Sequence, residues 1–203
     1  MAMIKTIIFD LGAVLIDWNP HYLYRKLFEK EEEMLYFLEN ICTPAWNEEQ
    51  DAGRPLQEAT DLLLAQFPEH RENIEAFYGR WEEMLGGAIE GTVQILRELK
   101  EGGQYNLYAL TNWSGETFPV AQERFEFLGW FDGIVVSGTE KDRKPSSSFY
   151  HTLLNRYEIL PSDALFIDDN LNNINAAQQL GITSIHFTSP EALRRALEDR
   201  KVL

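Results

Sequence analysis

Five short apolar runs recur along the chain: IKTIIFD (4–10), YNLYAL (105–110), GIVVSG (133–138), ALFIDD (164–169) and TSIHF (183–187). They are continuous rather than alternating, as strands are when a parallel sheet is covered on both faces. Between them lie helical patterns. In IEGTVQILRELKEGG, Val93, Leu96 and Leu99 share a face, and Gly102 and Gly103 can stop the helix. SSSFYHTLLNRYEIL follows the third run and NNINAAQQLG the fourth. Strand and helix alternating at this spacing predict a doubly wound α/β domain with a parallel sheet.

One interval breaks the rhythm. Residues 17–88 hold no strand-like run, only amphipathic stretches such as HYLYRKLFEKEEEMLYFLEN, PLQEATDLLLAQF and ENIEAFYGRWEEML. About seventy residues are too many for a loop, so they are expected to form an inserted helical cap that returns through Gly86 and Gly87. Residues 1–16 and 89–203 then make the α/β core.

Composition narrows the function. The chain is 44% hydrophobic and 12% aromatic, enough for a real core. Its net charge of −15 disfavours nucleic acid and anionic membrane surfaces, which need clustered Lys and Arg. Residues 17–88 alone carry 16 acidic and 6 basic side chains, so the cap disfavours long polyanions and suits a small substrate. Cys42, the single cysteine, allows no internal disulfide and fits a reducing, cytoplasmic setting. No segment offers the ~20 uninterrupted apolar residues of a membrane span, and the first apolar run breaks at Asp10, too soon for a signal peptide.

In open α/β sheets, ligands bind beyond the carboxyl ends of the strands. The polar residues at those ends are Asp10 after the first run, Thr111 and Asn112 after the second, Lys144 in KDRKPSS after the third, and Asp168 and Asp169 after the fourth. Each has an ordinary reading: a solvated strand end, a turn hydroxyl, a surface lysine, a helix N-cap. Together they fit phosphoryl chemistry. Three carboxylates can hold Mg²⁺, which prefers oxygen ligands. A lysine and a hydroxyl can neutralise and orient phosphate oxygens, and a carboxylate facing phosphorus can attack it in line.

FDLGAVL, LTN, RKPSS and FIDDNLNN resemble, in order, the four motifs of the haloacid dehalogenase-like hydrolase superfamily, and the helical insertion resembles its C1 cap. By that resemblance Asp10 is the nucleophile, Thr111 and Asn112 bind the phosphoryl group, and Lys144 pairs with phosphate and nucleophile. Asp169 is the main motif-four Mg²⁺ ligand, Asp168 a direct or water-mediated one, and Asn173 an outer anchor. The carbonyl of Gly12 completes the metal site.

The chain departs from the pattern at Gly12. Phosphatases of the superfamily usually carry a second aspartate there, as general acid and then base, a function worth about 10²–10⁴-fold. A subgroup beginning FDLG, with sugar-phosphate phosphatases among it, shares the glycine. The resemblance therefore implies a Mg²⁺-dependent phosphatase of a small phosphorylated metabolite, with a sugar phosphate as the candidate substrate, and the missing acid implies a bias towards aryl or acyl phosphates. The alternatives are 2-haloacid dehalogenation, which needs no acid, and a weakly catalytic binding protein that kept the metal site. Asp17 and His21, near Asp10 in sequence, are candidates to replace the acid. Trp18, Trp46, Arg54 and Trp113 are candidates to shape the pocket, while His70, His151 and His186 show no metal-ligand spacing.

Overall fold

A computed structural model describes residues 4–203. The chain enters β1 (Thr6–Phe9) and then β2 (Ile16–Trp18). Five helices follow: α1 (His21–Tyr24), α2 (Glu31–Asn40), α3 (Pro44–Asp51), α4 (Leu56–Gln66) and α5 (Arg71–Gly79). A 3-10 turn (Trp81–Met84) leads into β3 (Leu85–Ala88), which pairs antiparallel with β2. The rest alternates: α6 (Glu90–Gly102), β4 (Asn106–Thr111), α7 (Phe118–Arg124), β5 (Gly133–Val136), α8 (Ser137–Glu140), α9 (Ser147–Arg156), β6 (Ala164–Asp168), α10 (Leu171–Gln179), β7 (Thr183–His186) and α11 (Pro190–Glu198).

All five sequence-predicted strands form, in one parallel sheet of order β5-β4-β1-β6-β7. Their side chains alternate between two buried faces. Ile7, Phe9, Leu107, Ala109, Leu165 and Ile167 join a cluster that runs on into the helices between β2 and β3. Ile8, Leu110, Val135 and Phe166 pack against Phe149, Leu153 and Ile174 of α9 and α10. All four residues of β1 are buried, and a core side chain such as Ile8 or Phe166 contributes about 1.5–3 kcal/mol by leaving water. Chain order reverses at β1: the connections lead outward through β4 and β5, then return to β6 on the other side. Such a switch point opens a crevice at the carboxyl ends of β4, β1 and β6.

The interval 17–88 differs from its sequence reading in three ways. Residues 16–18 and 85–88 are short strands, and Gly86 and Gly87 lie in β3. The stretch from His21 is two helices, separated at Arg25–Lys30 by turns off Leu23 and Tyr24. Third, α3 has no counterpart among the amphipathic stretches. Thr43 caps it by accepting from Trp46 N–H at 3.1 Å, and Pro44 opens it.

Candidate active site

The parallel strands bring the predicted residues to one edge. Asp10 follows β1 and is hydrogen-bonded through its N–H to Ile167 O at 2.8 Å, while Thr111 ends β4 and Asp168 ends β6. Carboxylate oxygens of Asp10, Asp168 and Asp169 lie within 4.8 Å of one another. Lys144 is 1% exposed; its ammonium reaches Asp10 Oδ1 at 2.9 Å and Asp168 Oδ2 at 2.7 Å. Asp168 also accepts from Asn173 Nδ2 at 3.0 and 3.1 Å and from Asn170 N–H at 2.8 Å. Asn173 thus holds Asp168, and Tyr150 donates to the Asn173 carbonyl at 2.8 Å.

The charges do not balance. Three carboxylates face one buried ammonium. Burial pushes the Asp10 carboxyl up to about 7, Lys144 opposing and Asp168 reinforcing the shift. Asp169 is raised as well, by burial and then by Asp168. Burial alone would lower the Lys144 ammonium, but Asp10 and Asp168 outweigh it and hold it above its ordinary value. Buried charge without a counter-charge is costly, so the site fits a cation beside Lys144. An all-oxygen donor set suits Mg²⁺.

Thr111 Oγ1 is buried with no hydrogen-bond partner. Such an orphan costs about 1–3 kcal/mol, which an incoming oxygen can recover. The Asn112 side chain is partly committed: Oδ1 accepts from Lys144 N–H at 2.9 Å, and Nδ2 donates to Lys144 O at 3.0 Å. It locks the Lys144 loop, with one Nδ2 hydrogen left for the pocket that Asn112 also lines.

That pocket has a volume of ≈ 240 Å³ and lies between the strand ends and the helices. Gly12, Ala13, Asn112 and Asp169 form one wall. Ala13 takes the left-handed conformation (φ 55°) in the turn after β1, and a Cβ on Gly12 would meet nothing within 4 Å. Position 12 is therefore open space. The other wall is aromatic, from Trp18, Tyr78, Trp81 and Trp113, with Trp81 edge-on to Trp113 at 5.7 Å.

Trp18 and Trp113 thus line the pocket as expected, whereas Trp46 and Arg54 are not among its lining residues. Trp46 packs edge-on to Phe77 at 5.0 Å, and Arg54 bonds Gln50 Oε1 at 2.7 Å and Trp46 O at 2.9 Å. Neither candidate for the missing acid lines it either. Asp17 accepts from the Tyr22 hydroxyl at 2.6 Å, and His21 lines an adjoining cavity that shares Trp18, Asn47 and Asp51 with this one. His186 approaches the Asp169 carbonyl at 2.8 Å, tying β7 to the loop after β6. Asn47, Asp51, Tyr78, Trp81, Ser114 and Thr117 escaped the sequence reading. Only α3, which carries Asn47 and Asp51, had a signal, in the adjacent Thr43 and Pro44.

Residues 4–181 match the family model for haloacid dehalogenase-like hydrolases. The chain is 28% identical to the sesquiterpene phosphatase astK of Aspergillus oryzae over 98% of its own length and 96% of that protein. It is 24% identical to a phosphoglycolate phosphatase of Vibrio parahaemolyticus, over 91% of this chain and 84% of that one. A family enzyme from Bacteroides thetaiotaomicron, solved as a magnesium complex, superposes with a TM-score of 0.72 at 20% identity, covering 92% of this chain and 94% of the other. With the sheet, the strand-end cluster and this match over most of its length, the chain belongs to the haloacid dehalogenase-like hydrolase family.

Proposed function

We propose that the protein is a Mg²⁺-dependent phosphatase of small phosphate esters, working through an aspartyl-phosphate on Asp10. The observation that carries this reading is the Lys144 ammonium shared between Asp10 and Asp168, with Asp169 alongside and an unpartnered Thr111 hydroxyl at the next strand end. Asp10, Asp169 and the Gly12 carbonyl would hold the ion, with Asp168 directly or through water. The bound ion supplies charge neutralisation at the phosphoryl oxygens.

The chain's own groups do the rest. Lys144 and Asn173 hold Asp10 and Asp168 in place, and Lys144 and Thr111 meet phosphoryl oxygens. Asp10 attacks phosphorus, the ester oxygen leaves, and water then cleaves the aspartyl-phosphate. A dehalogenase needs no cation for attack on carbon, so the surplus of carboxylates favours phosphoryl transfer. The binding-protein alternative has no use for Asp10, Thr111, Lys144 and Asp169 together. Buried, unpaired Cys42 suits a cytoplasmic location.

The pocket's size and mixed walls support a ring-sized leaving group. A sugar phosphate could stack its C–H face on an indole and present hydroxyls to Asn47 and Thr117. The aromatic wall equally favours an apolar alcohol, and the relative named a sesquiterpene phosphatase makes a terpenyl phosphate the second reading.

Phosphate release from p-nitrophenyl phosphate, acetyl phosphate, hexose phosphates and farnesyl phosphate tests this, with Mg²⁺ or EDTA and with Asp10→Asn. We expect turnover that needs both the ion and Asp10, with a loss on the order of 10⁴–10⁶-fold in the variant. Hexose against farnesyl ranking chooses the leaving group. Release unaffected by EDTA and by Asp10→Asn, or halide release from 2-chloropropionate without Mg²⁺, would sink the reading.

A further inference from the structure

The strand-side wall has no side chain free to move a proton to the leaving group. Gly12 offers none, Asp10 and Asp168 are tied to Lys144, and Asp169 belongs to the carboxylate cluster. The helical wall has one. Asp51, the last residue of α3, lines the same pocket as Gly12, Asn112 and Asp169.

Its position is set by the α/β part of the molecule. The carboxyl shares its pocket with Ser114, which is two residues, at most about 7 Å of extended chain, beyond Asn112. Ser114 is itself pinned. Gly138 N–H donates to Trp113 O at 3.0 Å, Trp113 N–H donates to Ser137 Oγ at 2.9 Å, and a Cβ on Gly138 would collide with Gly115 N. Arg143 holds α3 down from the same side, reaching Glu48 at 2.5 Å and Glu49 at 3.6 Å.

The charged and titratable groups around Asp51 come from every neighbouring element. Glu48 lies on its own helix, Arg54 just beyond it, Tyr78 on α5, Arg143 and Lys144 on the loop after α8, and Asp169 across the pocket, while His21 of α1 and Glu39 of α2 line an adjoining cavity that Asp51 also lines. Burial dominates and pushes the carboxyl up to about 7, Arg143 opposing and Glu48 reinforcing. A group poised there carries its proton about half the time at neutral pH, as an acid that must also act as a base should.

We propose that Asp51 is the general acid and base of this enzyme, making from the helical insertion the proton transfers that Gly12 cannot; this rests on the phosphatase reading above. As Asp10 Oδ bonds to phosphorus and the ester P–O bond breaks, the Asp51 carboxyl gives its proton to the departing oxygen, releasing an alcohol. The Asp51 carboxylate then takes a proton from water as that water attacks phosphorus. The P–O bond to Asp10 breaks, phosphate leaves, and Asp10 is again a carboxylate and Asp51 a carboxyl. The bias towards good leaving groups that Gly12 implies is thereby lifted.

The test compares wild type, Asp51→Asn and Asp51→Asn with Gly12→Asp on p-nitrophenyl phosphate and a simple alkyl phosphate, from about pH 5 to 9. Asp51→Asn should lower kcat/KM on the alkyl ester by about 10²–10⁴-fold and on the aryl ester far less, because nitrophenolate leaves without a proton. Wild-type kcat/KM on the alkyl ester should fall as pH rises through the Asp51 titration, and the variant should lose that fall. Mixing the variant with the aryl ester should give a burst of nitrophenolate, the aspartyl-phosphate lingering without its base. Gly12→Asp, entering open space, should restore the alkyl ester.

Equal losses on both esters with the pH profile kept, or no loss, would overturn the proposal. Retained binding of inorganic phosphate by Asp51→Asn separates such a result from misfolding, and Gly12→Asp rescue would support the proposal even if the single variant were partly unfolded. A wild type inactive on every ester would instead overturn the phosphatase reading itself.

Discussion

The two walls of the pocket are built by opposite means. On the strand side, Asp10, Thr111 and Asp168 sit at the ends of adjacent parallel strands, so main-chain ladders set their positions. On the helical side, Asn47, Asp51, Tyr78 and Trp81 are placed by side-chain contacts. Tyr78 donates to Asn47 Oδ1 at 3.0 Å and accepts from Gln50 Nε2 at 2.8 Å. The tie of Arg143 to Glu48 is partly exposed, and exposed ion pairs contribute about 0–1 kcal/mol. One wall carries a large electrostatic strain on a rigid frame. The other is assembled from many small terms and is the wall that can adjust to a leaving group.

Lys144→Met tests the first half of that contrast and should have the largest effect on stability. It leaves Asp10 and Asp168 buried without their ammonium, a cost of about 3–5 kcal/mol readable as a lowered urea midpoint in EDTA. Mg²⁺ should recover part of it. The same loss with and without Mg²⁺ would mean that charge balance does not hold this wall together.

The Asp51 carboxyl should show a smaller effect with a definite sign. The folded protein keeps a proton on it up to about pH 7, which an unfolded chain releases near an ordinary Asp value of about 4. Across that window the folded state binds more protons, so this group makes wild type lose stability as pH rises. Asp51→Asn removes the dependence. The Tm of the variant minus that of wild type, measured without metal, should be near zero below the window, grow through it and level off above. A flat difference would place Asp51 in open solvent.

Tyr78→Phe should be the mildest of the three. It removes a hydroxyl that joins Asn47 to Gln50, for a stability loss of about 1 kcal/mol in urea titration. Because Asn47 belongs to the adjustable wall, KM should rise while kcat holds. A fall in kcat at unchanged KM would show that Asn47, like Asp51 on the same wall, is geared to the chemistry rather than to binding.

The legibility of the sequence follows the same division. The strands were readable because a strand covered on both faces must be apolar throughout, and three of the five runs end where a chemical residue stands, at Asp10, Thr111 and Asp168. GIVVSG overran, since Ser137 and Gly138 already begin α8. Inside the interval 17–88, α4 and α5 followed their apolar stripes. PAWNEEQD, by contrast, has small and polar residues without a stripe, so α3 was missed despite Thr43 and Pro44. Asp17 and His21 were considered for the acid because they lie near Asp10 along the chain, yet neither lines the pocket: Tyr22 engages Asp17, and His21 lines the adjoining cavity.

By itself the sequence determined the α/β class, the strand-end set Asp10, Thr111, Asn112, Lys144, Asp168 and Asp169, and the vacancy at position 12. All of these depend on local periodicity and on the rule that parallel strands share a carboxyl edge. Only the tertiary structure decided what faces that edge. Asp51 lies about forty residues from Asp10 in sequence, and its place in the pocket beside Ser114 depends on how α3 seats against α8. No local pattern encodes such a contact, because it is made by packing between elements and not by the propensity of any one of them.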